Sequence, residues 1–109
     1  MATRENKVER YLSDKVQYLG LGLTRAWKKS NVDGVMDQIV FLSWGVQHFV
    51  EVKTTDGELS SPQVREADRL RKTGAVVSCV YGHEGVDQYI NDLVDLRLNK
   101  PIIIREKYR

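Results

Sequence analysis

Seven consecutive residues, Ala75-Val76-Val77-Ser78-Cys79-Val80-Tyr81, are apolar or small on both alternating faces. Successive strand residues point to opposite sides, so a run of this kind is covered on both and belongs inside a sheet. A helix leads into it. Ser60-Ser61-Pro62 opens that helix, Val64, Ala67 and Leu70 mark its buried face, and Gly74 stops it. Proline fits a first helical turn and glycine the position just past the end. Before the helix come two strand-like runs, residues 37–43 and 47–54, on either side of Gly45, and Asp56-Gly57 breaks the second. They are expected to form an antiparallel hairpin. The strand–helix–strand crossover should be right-handed, which makes its two strands parallel. A sheet with one antiparallel and one parallel pair is therefore the frame of the fold.

The rest of the chain dresses that frame. Residues 4–19 read as a helix through Val8, Tyr11, Leu12, Val16 and Leu19, with Thr3 as N-cap and Gly20 and Gly22 ending it. A loop with Trp27, Lys28 and Lys29 follows, then a turn at Asp33-Gly34. Residues 84–95 form a further amphipathic helix through Val86, Tyr89, Ile90 and Leu93. Pro101-Ile102-Ile103-Ile104 is read as a short edge strand. The expected fold class is α/β, a small mixed β-sheet flanked by helices in the order α-β-β-α-β-α with a tail. At 109 residues and 41% hydrophobic, the chain has the size of one domain.

Several classes drop out. The longest apolar runs are a handful of residues, as in Ile39-Val40-Phe41-Leu42, whereas a membrane-spanning helix needs roughly 20. The first seven residues do not resemble a signal peptide. A single cysteine, Cys79, excludes an internal disulfide framework and a multi-cysteine zinc site. A soluble, cytoplasmic domain is expected. The net charge of +2 hides an asymmetry: residues 97–109 carry +4 and residues 1–96 carry −2. A uniformly basic nucleic-acid coat is ruled out, but a local basic patch is not.

Within the second hairpin strand, Glu51 and Lys53 project from one face and Val50 and Val52 from the other. Glu-x-Lys alone is common and reads most simply as an ion pair. Asp37 adds weight, because strands pairing about Gly45 bring Asp37 and Glu51 to one end of the hairpin. Two converging carboxylates suit Mg²⁺, which takes oxygen ligands and keeps several waters. Gln63 has two readings. With Ser60 as N-cap it completes a capping box; with Ser61 as N-cap it is free to point at the carboxylates. Glu5 can serve simply as an acid favoured in a helix's first turn. His48 and His83 read as strand-edge and loop residues, Cys79 as buried core, and Trp27 and Trp44 as packing residues.

Taken in order, these segments resemble the VRR-NUC domain, the virus-type replication–repair branch of the PD-(D/E)XK nucleases. The matching stretches are Glu5-Asn6-Lys7-Val8-Glu9-Arg10-Tyr11-Leu12, Gly34-Val35-Met36-Asp37-Gln38-Ile39-Val40, Phe49-Val50-Glu51-Val52-Lys53, Gly57-Glu58-Leu59-Ser60-Ser61-Pro62-Gln63 and Gly74-Ala75-Val76-Val77. They span about residues 3–94. The family usually has proline before the aspartate, where this chain has Met36; proline there stiffens a turn and ligates nothing.

The resemblance implies a restriction-endonuclease-like core over residues 1–96; it says nothing of 97–109, whose own residues mark a basic tail that adds an edge strand or a dimer contact. It implies metal-dependent DNA hydrolysis. Asp37, Glu51 and the main-chain carbonyl of Val52 would hold Mg²⁺ or Mn²⁺, with Glu5 as a further acidic ligand. Lys53 would orient the attacking water or stabilise the transition state, and Gln63 would steady Lys53 or the water. Candidate DNA contacts are Lys28, Lys29, Arg65, Arg69, Lys72 and the tail. The implied activity is a structure-specific endonuclease on branched DNA, such as a flap or four-way (Holliday) junction, in replication, repair or recombination. A homodimer in a bacterial or phage-infected cell, without membrane association, is expected. The other reading is a non-catalytic nucleic-acid-binding module or a nuclease subunit that needs a partner.

Overall fold

The computed structural model describes residues 4–27 and 36–109. The elements run α1 (Arg4–Tyr18), β1 (Gly22–Ala26), β2 (Gln38–Leu42), β3 (Gln47–Lys53), α2 (Ser61–Lys72), β4 (Val76–Tyr81), α3 (Gly82–Arg97) and β5 (Lys107–Tyr108). The five strands form one sheet in sequence order. β1, β2 and β3 pair antiparallel, whereas β3–β4 and β4–β5 are parallel. The expected α-β-β-α-β-α order is thus the run α1-β2-β3-α2-β4-α3, with a strand added at each edge.

Strand alternation sorts the core into two layers. Val40, Leu42, Val50, Val52 and Val80 face α1 and α3, where they meet Val8, Leu12, Val16, Val86, Tyr89, Ile90 and Leu93. On the opposite face, Val77 packs with Met36 and Ala67, with Trp27, Phe49 and Leu70 around them. Fully buried side chains such as Leu12 and Leu93 each contribute ~2 kcal/mol of hydrophobic stabilisation.

The three helices among the described residues end alike. Gly20 (φ 67), Gly74 (φ 92) and Asn99 (φ 61) each take the left-handed position. In each case the residue three back and, from the next residue, the residue five back supply the accepting carbonyls, as in Leu21 N–H to Val16 O and Gly20 N–H to Gln17 O. This is the Schellman motif, which glycine or asparagine adopts with least strain.

Four expectations need correction. Residues 22–26 form β1 instead of a loop, paired along its length with β2. The edge strand at the other side is Lys107–Tyr108, and residues 101–104 lie in no strand. Tyr108 is fully buried, and its hydroxyl donates to Asp92 Oδ2 at 2.6 Å. Val64 is 43% exposed, because the buried face of α2 turns on Ala67. His48 is not at a strand edge: it is buried, and a ring nitrogen shares a 2.8 Å hydrogen bond with the Tyr89 hydroxyl. Its alternation with Val50 and Val52 puts it on the inner face. Thr3 and the Asp33-Gly34 turn lie outside the described residues.

Candidate active site

The β2–β3 ladder stops at Gln38 opposite Val50. One more step of that register sets Asp37 opposite Glu51, beyond the last paired residues. Asp37 Oδ2 there accepts the Val52 N–H at 3.2 Å, so a side chain replaces the missing strand. The N–H and C=O of one extended residue leave a strand on the same side. The Val52 carbonyl therefore points to the edge where Asp37 sits.

Glu51 and Lys53 share the face opposite Val50 and Val52, as alternation requires. Glu51 is 1% exposed. Its Oε2 accepts from Gln63 Nε2 at 2.9 Å and lies 3.7 Å from Lys53 Nζ. Its Oε1 is buried without a hydrogen-bond partner among the described residues. Such an orphan costs roughly 1–3 kcal/mol and calls for a ligand or ion. Burial pushes the Glu51 carboxyl up to about 9; a side-chain hydrogen bond shared with Asp37 and that acid's charge add to the rise, and Lys53 opposes it, so in the absence of a cation the pair can share a proton.

Gln63 resolves its two readings by adopting both. Ser60 is the N-cap of α2, and the capping box is complete: Ser60 N–H donates to Gln63 Oε1 at 2.9 Å, and Gln63 N–H donates to Ser60 Oγ at 3.3 Å. An amide carries an acceptor and a donor, so Nε2 remains free for Glu51. The helix cap and the site are therefore one structure.

Glu5 reaches in from the first turn of α1, but toward the lysine, with Oε1 3.8 Å from Lys53 Nζ and its side chain 47% exposed. Among the described residues no three His, Cys, Asp or Glu side chains form a closed metal cage. What the fold assembles is a carboxylate pair, Asp37 and Glu51, with a lysine held between Glu51 and Glu5. Mg²⁺ needs little more, since it is bound through one or two carboxylates plus waters and substrate phosphates. The residues present fit such an ion.

Glu9 belongs here too and was not singled out from sequence. Burial raises its carboxyl, and Asp37 and Glu5 raise it further. The signal was available: Glu5 and Glu9 are four apart, hence on one helical face. Cys79 stands opposite Glu51 and Tyr81 opposite Lys53 in the parallel register. Burial pushes the Cys79 thiol up to about 11, which leaves it unreactive.

The basic candidates divide. Arg65, Arg69 and Lys72 are all exposed on α2, with Arg69 paired to Glu66 at 3.1 Å. Lys28 and Lys29 lie outside the described residues. In the tail, Lys100, Arg105 and Arg109 pair with Asp95, Asp92 and Glu58.

No sequence profile of a known family matches the chain, and no curated protein does. A solved structure described as a VRR_NUC domain superposes with a TM-score of 0.76 and 37% identity, over 83% of this chain and 97% of its own. With the Asp37, Glu51-x-Lys53 and Gln63 geometry standing on that shared fold, the chain belongs to the VRR-NUC family of nuclease domains.

Proposed function

We propose that the protein is a metal-dependent DNA endonuclease that cuts branched DNA, such as flaps or four-way junctions, during replication, repair or recombination. The observation that carries this reading is Glu51, a fully buried acid set beside a second carboxylate, Asp37, and an ammonium group, with its Oε1 lacking a donor among the described residues. Ionised, a buried acid in that setting is costly unless a cation completes it; without one it keeps its proton.

Asp37 and Glu51 would hold Mg²⁺ or Mn²⁺, with the Val52 carbonyl on the same edge and Glu5 or Glu9 reached through water. When bound, the ion supplies charge neutralisation at the scissile phosphate and a more acidic water. Lys53, already poised between Glu51 and Glu5, is the group that can turn to the phosphate as negative charge develops. Gln63 fixes Glu51 from the cap of α2, so the carboxylate does not reorient between turnovers.

A two-fold homodimer suits paired cuts in a symmetric junction. Ile103, 88% exposed, tests the role of the tail, since Tyr108 beyond it belongs to the core. If Ile103→Glu stays dimeric, the tail has no place in that interface.

Incubation with Mg²⁺ or Mn²⁺ and a panel of linear, splayed, flap and four-way DNA tests the function. Cleavage strongest on a branched member is expected. No metal binding by calorimetry and no cleavage of any member would favour the non-catalytic module.

A further inference from the structure

A cleft of about 350 Å³, lined by polar and apolar surface in equal measure, opens beside the candidate site, between the first turn of α1, the Thr54-Thr55 segment after β3 and the start of α3. That volume is at the low end of ~300–1,000 Å³ ligand pockets. It adjoins the catalytic residues at two points, because Arg4 precedes Glu5 and Thr54 follows Lys53.

Arg4 is exposed and has no acidic partner among the described residues, although Glu84 lines the same cleft. Arg65 and Lys72 on α2 likewise show no ion pair among the described residues, so what sets Arg4 apart is its place in the cleft beside Glu5. A cation with no acidic partner among the described residues, next to a phosphodiester-cleaving centre, is positioned for a phosphate. The rim adds an aromatic plate. The exposed His83 ring stacks on Tyr11 with centroids 4.2 Å apart and planes 21° from parallel. Tyr11 is itself fixed by donating its hydroxyl to Asp87 at 2.6 Å. Unpaired bases stack on such rings whatever their sequence.

We propose that this cleft is a nucleotide subsite for the residue flanking the scissile phosphate, with Arg4 on its phosphate, the Thr54 and Thr55 hydroxyls on phosphate or sugar oxygens, and its base on His83. The proposal rests on the nuclease reading of the adjoining site. It also gives the substrate strand a direction, across the first turn of α1 and over Lys53.

The test is fluorescence anisotropy with a labelled single-stranded oligonucleotide and Mg²⁺, in a Lys53→Ala background that leaves the strand intact. Arg4→Gln should weaken binding about tenfold and lower the slope of log Kd against log salt by about one. His83→Ala should weaken binding by a similar factor, and His83→Phe should restore it. An abasic residue scanned along the strand should find one position that weakens binding to protein with His83 and leaves His83→Ala unaffected. An unchanged salt slope in Arg4→Gln overturns the proposal, as does His83→Phe binding no better than His83→Ala. If the wild type cleaves DNA and these variants bind normally, the subsite alone is wrong. If the wild type neither binds nor cleaves, the nuclease reading fails and the subsite with it.

Discussion

Replacing Glu51 with glutamine should make the metal-free protein more stable at neutral and alkaline pH, while abolishing its response to divalent ions. The carboxyl has its ordinary value of 4.5 in the unfolded chain and about 9 when folded, chiefly through burial. Between those values the native state holds a proton that the unfolded state has lost, so stability falls as pH rises. The contribution is complete below 4.5 and is lost progressively toward 9. At pH 7 the 2.5 pH units above 4.5, at about 1.4 kcal/mol each, amount to about 3–4 kcal/mol. Glutamine keeps the shape and the oxygen facing Gln63 and Lys53, and carries no charge to desolvate. Thermal melts of both proteins in chelator at pH 5, 7 and 8.5 should show the wild type losing stability with pH while Glu51→Gln stays nearly flat. The gap at pH 7 should be on the order of 10 °C for a domain of this size. Adding Mg²⁺ should raise only the wild type, and more at higher pH, because the ion displaces the proton. Equal pH slopes, or Glu51→Gln melting below the wild type at pH 8.5, would refute the reasoning.

Other consequences are testable in the same way. Gln63→Ala removes the return arm of the capping box and the donor to Glu51; urea melts should show a loss of ~1–2 kcal/mol, together with slower cleavage. His48 is held at about 4 by burial, against an ordinary 6.5, so its neutral form is the native one. Stability should be full above pH 6.5 and fall by up to ~3 kcal/mol toward pH 4, and His48→Gln should remove that part of the acid slope in equilibrium unfolding. Met36 is 1% exposed, so Met36→Ala should cost ~2–4 kcal/mol by denaturant titration, even though nothing there ligates.

How legible all this was in the sequence depended on whether a residue's environment is set locally. The hairpin about Gly45 and the strict alternation of residues 49–53 suffice to bring Asp37, Glu51 and Lys53 to one strand end, in agreement with the Val52 N–H donated to Asp37 just past the last paired residues. β1 was missed because Gly22-Leu23-Thr24-Arg25-Ala26 is short and has one exposed edge, so only pairing with β2 defines it. β5 was misplaced for a similar reason. Three isoleucines have the stronger strand propensity, yet Tyr108 wins the sheet edge because its ring fills the core and its hydroxyl finds both Asp92 and the Arg105 N–H. Met36 shows the limit of comparing motifs: it stands where the family usually has a turn proline, and here it fills the layer under α2. The orientation of Glu5 toward Lys53, and not toward the carboxylate pair, is a tertiary fact that no spacing encodes.

The most direct test of the central claim is cleavage of the DNA panel with Mg²⁺ by the wild type and by Lys53→Ala, each verified as folded and each measured for DNA affinity. Strand cutting by the wild type, with Lys53→Ala binding comparably but cutting none of the substrates, is the predicted result. Undiminished cutting by Lys53→Ala would contradict the account.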